Sequence, residues 1–283
     1  MILRWDYDWF AIWISRIMPE LCEVQIMADN LQEWLQGQKI VHWAVIDSKL
    51  HNVDFAQLHN LPIQKVYRMA KWMALDFGEK TLLCHCRMTG QWIQEDAQHQ
   101  YCRLLCTTEK GRSYQFVDPR RFGILEIIDS NQIEAFKKNK NLGAEIWPHL
   151  RTGSWFAKKF QPFKGNIKQS LLRQDIVVGI GNILACELLY QAQISPFVTI
   201  QSVQHKDWEA FAQAVPIVIQ RILDAERSEK IAFLHEGAEI PQAFRVYGRG
   251  NQTCQICHQL IQSIQQQGRV TYYCENCQFV EAS

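Results

Sequence analysis

Two Cys-x2-Cys pairs, Cys254–Cys257 and Cys274–Cys277, stand sixteen residues apart near the end of the chain. Thiols two residues apart suit a tight turn that points both sulfurs at one ion, and two such turns complete a tetrahedron. Arg269-Val-Thr-Tyr-Tyr, running into Cys274, reads as one arm of a β hairpin. The pattern predicts a zinc ribbon or finger holding one structural Zn2+, because four thiolates leave no open position for chemistry. Chance pairs or a redox motif are the bland alternative, and the spacing argues against both. The other cysteines (Cys22, Cys84, Cys86, Cys102, Cys106, Cys186) lie in apolar or strand-like stretches and are expected as small buried thiols. With no secretory signal, this usage fits a reducing, cytoplasmic compartment.

The 283 residues allow one large domain or two medium ones, and a 47% hydrophobic content supports a real core. The net charge of +1 does not announce a nucleic-acid binder, although an average near zero leaves room for a local basic face. Residues 1–17, MILRWDYDWFAIWISRI, contain an apolar run too short to span a bilayer, and two aspartates spoil a signal peptide. No physical role for this extension is legible, and no membrane partner is expected.

From Pro19 the pattern sharpens. Leu21, Val24, Ala28, Leu31 and Leu35 mark one helical face, with Pro19 suited to its first turn, Glu20 to its positive end and Gly37 to its stop. Residues 39–46, 65–77, 80–93, 100–109, 112–118 and 123–128 read as strands, with turns at Gly78-Glu79 and Lys110-Gly111. After about residue 130 the texture becomes helical: 131–139, the stretch after Trp155, 167–193 broken by Gly179-Ile180-Gly181-Asn182, and 205–230. The fold class predicted is α+β: an N-terminal β sandwich with a helix (19–138), a hinge (139–154), a helical domain (155–245) and a zinc finger (246–283).

Several motifs fall in one order: MPELCEV (18–24), RMAKWMAL (68–75), HCRMTG (85–90), DPRRFG (118–123), VVGIGNILACE (177–187), VYGRGNQTC (246–254) and GRVTYYCENC (268–277). Together they resemble the formamidopyrimidine-DNA glycosylase / endonuclease VIII family, from about Met18 to Gln278, and DPRRFG and VYGR resemble the formamidopyrimidine branch more. The resemblance implies a helix-two-turns-helix DNA-binding domain and a bifunctional enzyme. Such an enzyme excises an oxidised base (formamidopyrimidine or 8-oxoguanine type) from damaged double-stranded DNA and cleaves the abasic site, flipping the nucleotide out. It implies catalytic roles for Pro19 (nucleophilic amine), Glu20 (general acid/base) and Lys71 (beside the lesion), with Glu23 in support. Met88, Arg120 and Phe122 would fill the gap left by the flipped nucleotide. Lys168, Asn182 and Arg269 would grip phosphates. Taken alone, Met88 and Phe122 read as core, Glu20 as a carboxylate at a helix start, and the lysines as solvent-facing charge.

Three departures stand out. Cys22 replaces the usual proline or glycine, Arg87 stands where glycine is common, and 225–240 lacks a Gly-Thr-Thr-rich lesion-capping loop. Residues 1–17 matter most: while they remain, the Pro19 nitrogen is a tertiary amide whose lone pair is delocalised. The expectation is that Pro19 is the working N-terminus, by translation from Met18 or by removal of the extension. The alternatives are an oxidised-pyrimidine glycosylase of endonuclease VIII type and, with the extension retained, a non-catalytic damaged-DNA binder. Nothing in the sequence requires an oligomer, so a monomer is expected.

Overall fold

A computed structural model describes residues 18–229 and 242–279. The expectations for residues 1–17 and for most of the 225–240 loop lie outside the described residues. The chain divides into two compact units, whose described residues are 18, 19 and 23–133 in the first and 20–22, 134–229 and 242–279 in the second.

The first unit is a two-sheet sandwich. Strands β1 (Ile40–Val45), β6 (Cys102–Thr108), β7 (Ser113–Val117) and β5 (Gln91–Gln94) form one antiparallel sheet in that order. The other runs β2 (Lys65–Met69), β3 (Trp72–Asp76), β4 (Lys80–His85), β8 (Ile124–Asp129). Helix α1 (Leu21–Leu35) joins the same core through Val24, Ala28, Leu31 and Leu35, the stripe the spacing predicts, against Leu75, Leu82, Leu104 and Phe116. Gly37, at φ +76°, ends it in the left-handed conformation that glycine adopts without strain.

Two runs that read as single strands are each two. The 65–77 run folds back at Ala70-Lys71, with Met69 paired to Trp72 and Ala70 at φ +56°. The 80–93 run is broken by a turn at 86–90, with Arg87 at φ +54°. Neither residue at positive φ is the Gly, Asn or Asp that marks a turn in sequence, and Gly90 only closes the second turn, so hydrophobic alternation runs through both. The helix also begins at Leu21, so Pro19 precedes it rather than forming its first turn.

One buried ionic cluster interrupts this apolar sandwich. Arg103 on β6 is 3% exposed and donates from Nε to Asp47 Oδ2 (2.5 Å) and from Nη1 to Asp118 Oδ2 (3.2 Å). Asp47 also accepts from Arg121, at 3.0 Å from Nε and more closely from Nη2. The hydrogen bonds from Arg121, with those from the Lys49 N–H and from Arg103, hold the Asp47 carboxyl well below the usual carboxylate range, against the opposing effect of burial.

In the second unit, α2 (Ile133–Asn139) leads to β9 (Ala144–Glu145), which pairs in parallel with β10 (Val177–Val178). Residues 139–154 thus contain a paired strand. Helix α3 (Gly153–Phe160) is capped by the Thr152 hydroxyl and packs Phe156 and Phe160 against Trp208 and Phe211 of α6 (His205–Glu229). Between them α4 (Ile167–Leu171) and α5 (Asn182–Gln191) flank the glycine-containing break. The finger is the hairpin β11 (Gln262–Gln266) and β12 (Arg269–Tyr273), turning at Gln267-Gly268, both at positive φ, with the cysteine pairs on either side. Among the described residues no helix is long and apolar enough to cross a membrane.

Because the Asp47 carboxyl is depressed in the fold, its stabilising contribution is complete above the ordinary carboxylate value of 3.8 and is lost as pH falls below it. Asp47→Asn is therefore expected to lower the melting temperature at pH 7. The gap to wild type should close as pH drops below 3.8 in a series of thermal melts. A gap independent of pH would rule out this ionic role.

Candidate active site and nucleic-acid interface

The second unit builds its site on the N-terminus of α5. Glu20 is 4% exposed, and its carboxylate accepts backbone N–H bonds from Gly181 (3.0 Å), Ile183 (2.9 Å) and Leu184 (3.0 Å). The first turn of a helix leaves such N–H groups without partners, and its dipole favours negative charge there. Gly181 has to be glycine, since a Cβ would lie 2.2 Å from the Glu20 Cδ. Leu21 N–H adds a bond to the Gly179 carbonyl (3.1 Å). Gln174 shapes the break, accepting from Gly179 N–H (3.0 Å) and donating to the Ile180 carbonyl (2.7 Å). The anion held by these N–H groups is thus the chain's own Glu20. It is a carboxylate at a helix start, as the residue type alone suggests, but the helix is α5 and not the one that follows it in sequence.

Lys168 is not surface charge. It is 2% exposed, and its Nζ donates to Asn182 Oδ1 (2.7 Å) and Thr271 Oγ1 (2.8 Å). Burial lowers its pKa; nearby Cys186 and Glu20 oppose that effect, and Arg269 adds to it. Asn182 in turn donates from Nδ2 to the Val270 carbonyl (2.9 Å). Lys168, Asn182 and the finger strand bearing Arg269 are therefore one hydrogen-bonded group, and Arg269 itself is exposed. Lys168, Gln169, Leu172, Gln266, Gln267 and Arg269 line a cleft of about 200 Å³.

The sequence reading missed Glu187 and Tyr190. Glu187, fully buried on α5, accepts N–H bonds from Arg245 (2.9 Å), Val246 (2.9 Å) and Tyr247 (2.8 Å) and one from Arg221 Nη2 (3.0 Å). The Tyr190 hydroxyl lies 3.1 Å from Cys254 Sγ. A carboxylate and a phenol inside the apolar run ILACELLY were the available signals.

The sulfurs of Cys254, Cys257, Cys274 and Cys277 all lie within 4.8 Å of one another, so the four could hold a metal ion. The Cys254–Cys277 pair is 3.8 Å apart and Cys257–Cys274 3.3 Å, neither a disulfide. Burial would push the Cys254 thiol up, but the Tyr190 hydroxyl and the N–H groups of Cys257 and Ile256 outweigh it and bring it to about 6. Cys257 is lowered as well, chiefly by the Gln259 N–H, whereas burial pushes Cys274 and Cys277 up. The six remaining cysteines are buried and form no disulfide, as expected; burial pushes Cys102 up to about 11 and Cys186 to about 12.

In the first unit, Pro19 and Lys71 are buried, Lys71 at the β2–β3 corner rather than within a strand. Met88 occupies the 86–90 turn and is half-buried. Arg120 and Phe122 occupy the 118–123 turn; both are exposed, Phe122 at 49%, and the guanidinium sits 5.0 Å from the ring centroid. Core packing, the usual fate of such a phenylalanine, is excluded. The Arg120 N–H reaches Thr89 Oγ1 (3.4 Å), which brings the two turns together.

A sandwich that presents an apolar and aromatic pair on two joined turns defines one kind of protein. So does a helical unit whose buried lysine, asparagine and thiol-bearing hairpin form one group. The comparisons with known proteins say which kind. The model for the formamidopyrimidine-DNA glycosylase N-terminal domain matches residues 18–125, and that for its H2TH domain matches 142–232. A formamidopyrimidine-DNA glycosylase from Novosphingobium aromaticivorans is 32% identical over 92% of this chain and all of its own length. The Lactococcus lactis enzyme bound to abasic-site DNA superposes with a TM-score of 0.81 at 26% identity, over 92% of this chain and 99% of its own. The wild-type L. lactis enzyme with DNA containing an oxidised pyrimidine gives 0.82 at 25%, over the same shares. The chain belongs to the formamidopyrimidine-DNA glycosylase family and is a DNA glycosylase of base excision repair.

Gly181→Ala forces the Glu20 carboxylate out of its seat. Excision is expected to fall by about 100-fold, the scale for misplacing a group at the reacting centre. The finger's metal content should not change. Single-turnover excision and zinc quantification check this; wild-type excision would show that the seat is dispensable.

Proposed function

We propose that this enzyme excises oxidised purines of the formamidopyrimidine or 8-oxoguanine type from damaged double-stranded DNA, as a monomer, through the nitrogen of a free N-terminal Pro19. The observation that carries the reading is the Glu20 seat. A carboxylate one residue from Pro19 is fixed by three N–H bonds. The secondary amine attacks the sugar C1′, a C–N bond forms, and the base departs with the glycosidic electron pair. Loss of the ring-oxygen bond leaves an iminium. As an electron sink it acidifies the C2′ proton, whose removal expels the 3′ phosphate; a second elimination expels the 5′ phosphate. An α-amine titrates well below a lysine, so much more of it is unprotonated at neutral pH.

Glu20 serves the sugar ring oxygen and the later proton transfers. Lys71 stands beside the lesion and its phosphate. Met88, Arg120 and Phe122 enter the gap in the stack, the Arg facing the widowed base. Lys168, Asn182 and Arg269 grip the phosphates around the lesion. The four cysteines suit one Zn2+, since sulfur ligands at tetrahedral spacing are its usual structural set. The ion supplies the finger's fold, and no reaction step passes through it. A second reading, preference for oxidised pyrimidines, is favoured by the absence of a Gly-Thr-Thr-rich stretch in 225–240. Excision rates on paired formamidopyrimidine, 8-oxoguanine and oxidised-pyrimidine duplexes separate the two.

Borohydride trapping on an abasic-site duplex tests the nucleophile. The protein that begins at Pro19, verified by intact mass, is expected to form the covalent adduct. The chain beginning at Met1 with its extension intact is expected to form none. Equal trapping by both would move the nucleophile to another amine, and trapping by neither would favour a damage binder. Chelation, or Cys254→Ser, is expected to release about one zinc per chain and to weaken DNA binding by removing the Arg269 hairpin. Unchanged affinity in an anisotropy titration would show that the finger does not contribute.

A further inference from the structure

The buried cluster around Arg103 joins the two turns that carry Met88, Arg120 and Phe122. Asp118, 1% exposed, opens the second turn, and its Oδ2 accepts from the Gly123 N–H (2.7 Å) that closes it. Its Oδ1 accepts from the hydroxyl of Thr89, the residue after Met88. The same Thr89 oxygen accepts from the Arg120 N–H (3.4 Å). Arg103 completes the frame: Nη1 donates to Asp118 (3.2 Å) and to the Gly123 carbonyl (2.9 Å), and Nε donates to Asp47 (2.5 Å). Asp47 holds the side chain of Arg121, between Arg120 and Phe122.

Both turns carry a non-glycine residue in the left-handed region beside a probing side chain, Arg87 at φ +54° and Arg121 at φ +56°. Such conformations persist only where the surroundings over-determine them. At 3% exposure Arg103 is too deep to touch DNA, so its effect has to pass through other residues. A planar guanidinium can meet two carboxylates and a carbonyl in fixed directions, which a lysine ammonium cannot reproduce.

We propose that Arg103, bridging Asp47 and Asp118, is a positioning residue that locks the Met88 turn to the Arg120–Phe122 turn, so that the three side chains enter the base stack as one rigid wedge. The inference rests on the proposed function, since it assigns the wedge its task. A rigid wedge matters most where a stacked, paired base has to be displaced. At an abasic site there is no base to unstack, so the lyase steps depend on it far less.

The test compares Arg103→Lys and Thr89→Val with wild type on two duplexes, one carrying a paired formamidopyrimidine lesion and one a preformed abasic site. Thr89→Val is nearly isosteric, leaves the ion pairs in place, and keeps the test decisive if Arg103→Lys folds poorly. Both variants are expected to lose about 10- to 100-fold in single-turnover excision of the paired lesion. Borohydride trapping at the abasic site should stay within about threefold of wild type. A 2-aminopurine beside the lesion should show slower unstacking in step with the lost excision. Wild-type excision and unstacking in both variants overturns the wedge lock. So does an equal loss on both substrates, which would mark a general structural role. A wild-type enzyme inactive on both duplexes would instead strike the functional reading, and the lock with it.

Discussion

One carboxylate fixes the geometry on which the second unit's chemistry depends. Glu20 fills the N-terminus of α5 from a position some 160 residues earlier in the chain, using three backbone N–H groups with no other helical partner. Hydrogen bonds to a charged group contribute about 1.5–3 kcal/mol each, more than a neutral pair. The start of α1 cannot slide along the break at Gly179–Gly181 without giving up all of them. Whatever Pro19 does, it does one peptide bond from an anchored residue. The same contact explains why this helix start is rich in glycine: the close approach is to a side chain of the protein itself.

Two further buried charges extend the anchoring towards the finger. Glu187 gathers the N–H groups of Arg245, Val246 and Tyr247, the backbone that leads into the cysteines. Lys168 ties Asn182 to Thr271, the middle of the strand that begins at Arg269. Removing one partner from such a site leaves a buried group uncompensated, which costs far more than the bond itself contributes. The finger is thus positioned from both ends by α4 and α5. The Tyr190 hydroxyl against Cys254 adds a contact to the cluster of four sulfurs itself.

Much of this is legible in the amino-acid sequence alone. The helical stripe of α1, the turns at Gly78 and Lys110-Gly111, the break in 167–193 and the finger hairpin each rest on local signals with a physical cause. The corners at Ala70-Lys71 and Arg87 were hidden because tertiary contacts, not turn residues, impose them. Lys168 and Phe122 read in opposite ways to their burial. Composition sends phenylalanine inward and lysine outward, and tertiary contacts override both: Asn182 and Thr271 hold the buried lysine, and the Arg120 guanidinium covers the exposed ring. The partners of Glu20, Glu187 and Arg103 lie far away in sequence, and no spacing rule reaches that distance.

The departures from the family pattern can be weighed on the same terms. Cys22 is buried in the first turn of α1 and replaces a residue that would add no side-chain polarity, so the helix accepts it as a small apolar group. Arg87 is different. A left-handed residue there favours glycine, and a side chain at φ +54° carries a backbone cost. Its N–H is held by His85 Nδ1 (2.9 Å), which stacks edge-on against Trp72 (4.9 Å between ring centroids). The turn is thus braced on the sandwich side as well as by Thr89 and Asp118. The exposed guanidinium of Arg87 adds positive charge beside Met88. A strained but doubly braced turn thus holds an exposed cation at a fixed place on a chain of nearly zero net charge, where a local charge counts more than the average.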